Sequence, residues 1–246
     1  MWSKMVAIAR REWAAYFNSP VAYVFIVIFL VLTGFMTFSV ARFYEAGQAD
    51  LRSFFFWHPW LYLILAPAAA MRAWAEERRS GTIELLFSAG VRPWEAILGK
   101  FLASWLFLAL ALVLTFPMVL TVGYLGRPDY GAIAGGYLGS LLLAGAYLAA
   151  GQCTSACTRN QVVSFVLAVV LGLFLLLAGY PPVTDMLSRW APGWLVAGVA
   201  GFSVMPPYDA LQRGVIDLRD LVYFASLIGV LLFATERILA ARGLGR

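Results

Sequence analysis

Long stretches without a charged residue are the feature of this 246-residue sequence that most constrains its fold. A helix needs about 20 predominantly apolar residues to cross the hydrocarbon core of a bilayer. The sequence is 62% hydrophobic and 13% charged, whereas soluble domains are roughly half apolar and about a quarter charged. We therefore predict an all-α, polytopic membrane protein that forms a single transmembrane domain over residues 1–246. The candidate spans are residues 21–40, 53–71, 101–126, 130–158, 160–184, 190–208 and 221–235.

The proline content of one stretch and the distribution of basic residues decide how many of these stretches cross the membrane. Residues 190–208 contain three prolines and three glycines, which interrupt helices. Six spans with an inner N-terminus place twelve Lys and Arg residues on the cytoplasmic side and six outside, as the positive-inside rule requires. A seventh span would export the basic C-terminus. We predict six transmembrane helices, cytoplasmic termini and an external segment at 181–220.

Residues 1–19 have the pattern of an amphipathic helix that precedes the first span. Aromatic residues on one face suit headgroup depth, and basic residues on the other face suit anionic lipid. Pro20 follows as a favourable first residue of the next helix. We predict an N-terminal elbow helix at the inner membrane surface. Its predicted apolar face comprises Trp2, Val6, Ala9, Trp13, Tyr16 and Phe17, with Lys4, Arg11 and Asn18 opposite.

The predicted spans contain no Asp, Glu, Lys or Arg in their cores, which excludes a proton relay built on buried charges. A single histidine, His58, cannot assemble a metal site with Cys153 and Cys157, which lie far away in the sequence. No phosphate-binding loop is present, because Trp94 and Phe101 break the pattern that ends at Lys100. We expect no catalytic residue, no metal, no bound cofactor and no nucleic-acid partner for this chain.

One polar cluster stands at the inner end of the fourth predicted span. Gln152, Thr154 and Ser155 lie there within two turns of each other. Such residues form hydrogen bonds between membrane helices, and they also line substrate pathways. In the same span, Gly131, Gly135 and Gly139 recur every four residues, which predicts a face where another helix approaches closely.

The predicted cytoplasmic loop, residues 76–99, contains strong signals for a short helix. Thr82 is placed to cap a helix that begins at Ile83, and Gly90 is placed to end it. Glu84 suits the first turn, and Pro93 suits the start of the next helix. Ile83, Leu86 and Phe87 form an apolar stripe. Such a helix fits the groove of a partner protein or rests on the membrane, and the pattern leaves both open.

The same loop resembles a family signature. Its sequence EERRSGTIELLFSAGVRPWEAILGK, which ends at Lys100, is similar to the pattern E-E-[KR]-R-x-G-T-[IL]-E-x-L-L…W-E-x-x-x-G-K of ABC-2 type permeases. Residues 17–20, 47–49 and 212–220 resemble the gliding-motility-type branch of that family. The resemblance extends over almost the whole chain.

The resemblance implies a non-catalytic permease subunit of a transporter, with six spans and an elbow helix, in the bacterial cytoplasmic membrane. As partners it implies two copies of a separate ATPase subunit, which bind ATP and Mg²⁺. It also implies a second permease copy, in a homodimer or a heterodimer. Membrane lipid and an external auxiliary subunit are the remaining implied partners. It further implies export of a substrate that the sequence does not identify. The alternative is a mechanotransmission complex that drives an external protein. The implied coupling residues are Glu76, Glu77, Gly81, Thr82, Ile83, Glu84, Leu85 and Leu86.

Overall fold

The structure, a computed structural model, describes residues 2–241 except Ala46, Gln48 and Ala89. The side chains of Trp2, Ser3, Leu85, Leu86 and Phe87 also lie outside the described part. Within these limits the chain is helical and contains no strand. Its helices are α1 (Trp2–Phe17), α2 (Pro20–Phe35) with a π-helical end (Met36–Val40), α3 (Arg52–Phe56), α4 (His58–Ala70), α5 (Arg72–Ser80), α6 (Thr82–Ser88), α7 (Pro93–Val113), α8 (Pro117–Leu125), α9 (Tyr130–Cys157), α10 (Gln161–Leu177), α11 (Pro181–Ser188), α12 (Gly193–Ala200), α13 (Met205–Gln212) and α14 (Leu218–Ala241).

Four helical segments of the described chain are long and apolar enough to cross a membrane. They are Pro20–Val40, Pro93–Leu125, Tyr130–Cys157 and Leu218–Ala241. A fifth is present if α10 and α11, which meet at a 78° bend, form one broken span. The predicted second span, 53–71, is divided among α3 and α4, and α4 has only 13 residues. The structure thus establishes a helical membrane protein, whereas the count of six stays a prediction.

Helix α9 is the centre of the bundle. It packs against α4, α7, α10, α13 and α14. Its most apolar stretch is 67% buried, whereas that of α2 is 28% and that of α14 is 22%. The 28 residues of α9 span about 42 Å at 1.5 Å per residue. One helix therefore connects the two ends of the molecule, which we name the α5 end and the α13 end after the helices that meet α9 there.

At the α13 end, glycines of α9 allow α13 to lie against its backbone. A Cβ atom at Gly135 would collide with the carbonyl oxygen of Leu211, and one at Gly139 would lie 3.1 Å from Leu211 Cβ. This confirms the predicted packing face for two of its three glycines. A Cβ at Gly131 would instead lie nearest to a side chain of its own turn, Asp129.

Neutral hydrogen bonds accompany this packing. Ser140 Oγ of α9 lies 2.7 Å from His58 Nδ1 of α4 and 3.3 Å from the Tyr208 hydroxyl of α13. The Tyr208 hydroxyl donates to the carbonyl oxygen of Phe55 at 2.7 Å. The three side chains are fully buried. They join α3, α4, α9 and α13 without any formal charge.

The N-terminal helix α1 is present, but its buried residues differ in part from the predicted apolar face. Trp13, Tyr16 and Phe17 of that face are half-buried against the core, whereas Val6 is 54% exposed and Met5 and Ile8 are buried. Gly99 lets α7 approach this face, since a Cβ there would lie 2.9 Å from Ile8 Cγ2. A wheel drawn from the sequence cannot include this contact, because α7 begins more than 70 residues after α1 ends. The position of α1 at a membrane surface stays a prediction.

The external segment predicted at 181–220 is a series of short helices, α11, α12 and α13. Prolines stand at the starts of α11 and α13, and Pro192 precedes α12. Pro lacks a backbone N–H and is tolerated in the first turn of a helix, so these prolines divide the segment rather than letting one long helix form. None of these helices has more than eight residues, and this confirms that 190–208 is not a continuous helix.

Candidate functional site

The loop that was predicted to carry function is folded into a helix–turn–helix path between α5 and α7. Helix α5 ends at Gly81, which has φ of +74°, and Gly90 after α6 has φ of +71°. These left-handed conformations suit glycine and let the chain change direction on both sides of α6. Helix α6 begins at Thr82, one residue earlier than predicted, and the Thr82 hydroxyl lies 2.9 Å from that of Ser80.

Helix α6 presents polar residues outward and one apolar residue inward. Thr82 and Glu84 are exposed, whereas Ile83 is 4% exposed and belongs to the apolar core. The remaining predicted members of this helix, Leu85 and Leu86, have side chains outside the described part. The described portion of α6 is therefore attached to the bundle through Ile83 and offers a short polar surface.

A cluster of charges joins α5 to α1 and α7. Lys100 of α7 is only 5% exposed, and its Nζ lies 2.8 Å from Glu77 Oε1 and 3.0 Å from Glu12 Oε1. Arg11 Nη2 lies 2.9 Å from Glu12 Oε1. The ammonium group also lies 5.3 Å from the ring centroid of Trp74. A single buried cation thus binds carboxylates from two other helices, which fixes their relative positions.

The charges shift the titration of Glu12. Burial by itself would raise the pKa of the Glu12 carboxyl, because it disfavours the charged form. The nearby Lys100 and Arg11 outweigh this effect by charge attraction and hydrogen bonding. The pKa of Glu12 is therefore lowered, and its carboxyl is ionised at neutral pH.

Ser155 attaches the start of α5 to α9. Its Oγ accepts hydrogen bonds from the backbone N–H groups of Trp74 at 3.1 Å and Ala75 at 3.0 Å. It also donates to the carbonyl oxygen of Met71 at 2.9 Å. The first N–H groups of a helix lack partners within the helix, so Ser155 satisfies two that would otherwise be buried and unpaired.

Two further contacts extend this attachment along α5. Arg78 Nη1 donates to the carbonyl oxygen of Ala156 at 2.6 Å. Glu76 Oε2 accepts a hydrogen bond from Gln161 Nε2 at the start of α10. The predicted coupling residues Glu76 and Glu77 therefore face different neighbours, α10 for the former and α7 for the latter.

The polar cluster of α9 lies inside the chain. Gln152 and Ser155 are fully buried, and Thr154 is 8% exposed. Thr154 Oγ1 donates to the carbonyl oxygens of Gly151 and Ser164, the latter in α10. These contacts confirm interhelical hydrogen bonding for Thr154 and Ser155. A pathway-lining role for the three residues stays a prediction.

The start of α7 is capped, and α1 contacts the loop before it. The backbone N–H of Arg92 donates to Glu95 Oε2 at 3.0 Å, which completes a capping box around Pro93. Lys4 Nζ of α1 donates to the carbonyl oxygen of Gly90 at 2.8 Å. The predicted helix start at Pro93 is confirmed. Helix α1 therefore touches both α7 and the turn that follows α6.

Together these contacts hold α5 against the bundle. Helix α5 is bound to α1 and α7 through Lys100 and to α9 through Ser155. Sequence reasoning missed the role of Glu12 and Lys100. The available signal was the spacing of Met5, Ile8 and Glu12, which places a carboxylate on an apolar face of α1.

Comparison with known proteins identifies the family. The sequence model described as "ABC-2 family transporter protein" matches residues 51–213, which is more than half of the chain. No curated protein sequence matches the chain. Proteins of this family are the membrane permeases of ABC transporters, are generally non-catalytic and have an ABC ATPase as partner. The matched residues include α5, α6 and α7. Because the match covers more than half of the chain, the chain belongs to the ABC-2 family of transporter proteins.

Proposed function

We propose that the chain is the permease subunit of an ATP-driven exporter of the gliding-motility-type branch. Two permease copies, or one copy and a related chain, pair in the membrane above two ATPase subunits that hold ATP and Mg²⁺. The substrate crosses at the interface between the two permeases. This chain contributes no catalytic residue, because ATP hydrolysis takes place in the partner subunits.

Helix α6 is the part of this chain that contacts the ATPase. The observation that carries this assignment is the fixed connection behind it, from α5 through Glu77 to the buried Lys100. A helix that transmits force needs an exposed contact surface and a rigid base. Thr82 and Glu84 provide the first, and the Lys100 cluster with Ser155 provides the second.

We propose the following sequence of events. Closure of the ATPase dimer on ATP displaces α6, which Gly81 connects directly to α5. Helix α5 carries the displacement to α1 and α7 through Lys100 and to α9 through Ser155. The two-state element is the interface between permease copies, whose equilibrium the nucleotide state of the partner shifts.

A charge reversal in α6 tests this function. Glu84→Lys places a cation where the ATPase meets an exposed carboxylate, so we expect binding of the ATPase to weaken by at least about tenfold. Binding is measured as the amount of ATPase that co-purifies with the membrane-inserted permease. The rate of ATP hydrolysis by the complex is measured alongside.

Asp185→Lys is the matched control for this reversal. Asp185 is an exposed carboxylate of α11, at the α13 end of the molecule. We expect this variant to retain ATPase binding, because the same change of charge is made far from α6. Full ATPase binding and full hydrolysis by the Glu84→Lys complex would show that α6 does not couple the two subunits.

A mechanotransmission complex is the second candidate, and the position of α9 favours it. This helix touches α5 through Ser155 and touches α13 through Gly135, so movement at one end reaches the other along a single helix. In that case α11, α12 and α13 drive an external protein and no solute moves. ATP-dependent flux of a solute in liposomes that contain only the permease and the ATPase would exclude this candidate. Capture of an external protein by the 181–220 segment without any flux would support it.

A further inference from the structure

Gln152 of α9 has a buried amide group that makes no hydrogen bond. Its side chain is fully buried. Neither Nε2 nor Oε1 is accessible to water, and neither has a hydrogen-bonding partner among the described residues. A primary amide can donate two hydrogen bonds and accept two, and unpaired polar groups in the interior destabilise a fold. Gln152 therefore lowers the stability of the arrangement that the structure describes.

The polar residues next to Gln152 on α9 do have partners. Thr154 Oγ1 donates to the carbonyl oxygens of Gly151 at 3.0 Å and Ser164 at 3.2 Å. Ser155 Oγ contacts three backbone groups of α5 and the residue before it. Neighbouring helices thus supply partners for two hydroxyl groups at this level of α9. The lack of partners is a property of the Gln152 position and not of this end of the helix.

The indole group of Trp74 on α5 is complementary to the Gln152 amide. It is fully buried, and its Nε1 donor has no acceptor among the described residues. The backbone N–H of Trp74 donates to Ser155 Oγ, and Gln152 lies three residues before Ser155 on adjoining positions of α9. His58 meets Ser140 and Trp74 meets Ser155, so the α4–α5 segment runs in the same direction as α9. Because helical side chains lean towards the N-terminus, the indole leans towards the level of Gln152.

We infer that Trp74 Nε1 donates a hydrogen bond to Gln152 Oε1 in a second arrangement of α5 on α9, and that this bond is open in the arrangement described here. The required displacement is less than one helical turn, about 5 Å, because Gln152 and Ser155 lie within one turn of each other. The bond stabilises the displaced position of α5, so Gln152 acts as a positioning residue. The inference rests on the proposed function in one respect, namely that the ATPase drives α5 into the second arrangement.

Gln152→Met tests the open state of the bond without the ATPase. Methionine has nearly the volume of glutamine but no amide to satisfy, so we expect the melting temperature of the purified permease in detergent to rise by about 3 °C. Gln212→Met is the matched control. The Gln212 amide donates to Asp209 Oδ1, so the same substitution removes a hydrogen bond there and should lower the melting temperature.

ATP hydrolysis by the permease–ATPase complex tests the closed state of the bond. Gln152→Met and Trp74→Phe each remove one side of it, so we expect each to lower the hydrolysis rate about fivefold. The double variant should be no slower than the slower single variant, because the two residues act as one unit. Trp105→Phe is the control, since Trp105 Nε1 already donates to the carbonyl oxygen of Leu141 at 2.8 Å. Its effect on the rate should multiply with that of Gln152→Met.

Two outcomes would overturn the inference. A melting temperature below that of the wild type for Gln152→Met would show that the amide is already paired in the described arrangement. A raised melting temperature with unchanged hydrolysis would show that no second arrangement uses the amide. Failure of the proposed function is observed separately, as full ATPase binding and hydrolysis by the Glu84→Lys complex, and the melting measurement does not depend on it.

Discussion

The α5 end and the α13 end of the molecule are both attached to α9, but by different means. At the α5 end, hydrogen bonds to Ser155 hold α5 on α9, and ion pairs around the buried Lys100 join α5 to α1 and α7. At the α13 end, the helices are joined by backbone contact at Gly135 and by the neutral contacts of Ser140 and Tyr208. Full charges take part at the α5 end, whereas the contacts that hold α13 on α9 are neutral.

The two ends therefore respond differently to ions in solution. Exposed ion pairs, such as that of Arg11 with Glu12, weaken with salt, whereas the buried Lys100 is screened much less. The packing of Leu211 on Gly135 involves no charge, and dense interiors resist displacement. We therefore expect added salt to weaken the contacts of the α5 end more than those of the α13 end.

The largest expected effect is on the packed end. Gly135→Ala places a methyl group against the carbonyl oxygen of Leu211, and a backbone atom cannot move aside as a side chain can. We expect the free energy of unfolding to fall by about 3 kcal/mol. The melting temperature of the purified protein in detergent measures this loss.

Gly229→Ala is the control for this substitution. A Cβ at Gly229 of α14 would have no atom within 4 Å, so the methyl group should raise helix stability slightly. An equal decrease for both variants would mean that α13 is not held by contact with Gly135.

A smaller effect is expected from breaking the charged end. Lys100→Met leaves Glu12 and Glu77 without their shared cation, while both carboxylates retain some contact with water. We expect a loss of about 2 kcal/mol, less than for a fully buried pair. Lys4→Met, which removes an exposed cation bonded to Gly90, serves as control and should change the melting temperature less. If the two variants lose the same stability, burial of Lys100 is not important.

The smallest effect is a dependence on pH that belongs to the charged end alone. The pKa of Glu12 is lowered from its ordinary value of 4.5, so its contribution to stability is complete above that pH. It is lost as the pH falls through the lower pKa of the folded state. The difference in melting temperature between the wild type and Glu12→Gln should therefore shrink below about pH 4.5. A constant difference over that range would contradict the proposed pairing with Lys100.

Features that depend on neighbouring residues could be predicted from the sequence. Gly90 and Pro93 mark the end of α6 and the start of α7, because turn and cap residues act within one or two positions. The glycines of α9 predicted close helix packing because a spacing of four residues places them on one face of a helix. The predicted start of α6 at Ile83 was one residue late, which is within the ordinary uncertainty of helix ends.

Features that depend on distant residues could not be predicted. Glu12 and Lys100 are 88 residues apart, and Trp74 and Ser155 are 81 apart. The sequence shows Lys100 only as part of a family pattern and Ser155 only as one of several polar residues. The break at Trp57, which divides the predicted second span, was likewise not visible in its apolar composition.

The sequence by itself determined that this chain is a helical membrane protein with a short helix between α5 and α7. Apolar length, helix-breaking residues and the loop pattern are local properties, and local physics is enough to interpret them. Only the tertiary structure decided that Lys100 binds carboxylates of α1 and α5, and that Ser155 holds α5 on α9. These contacts join helices that are far apart in the chain, and they form only when the fold has brought those helices together.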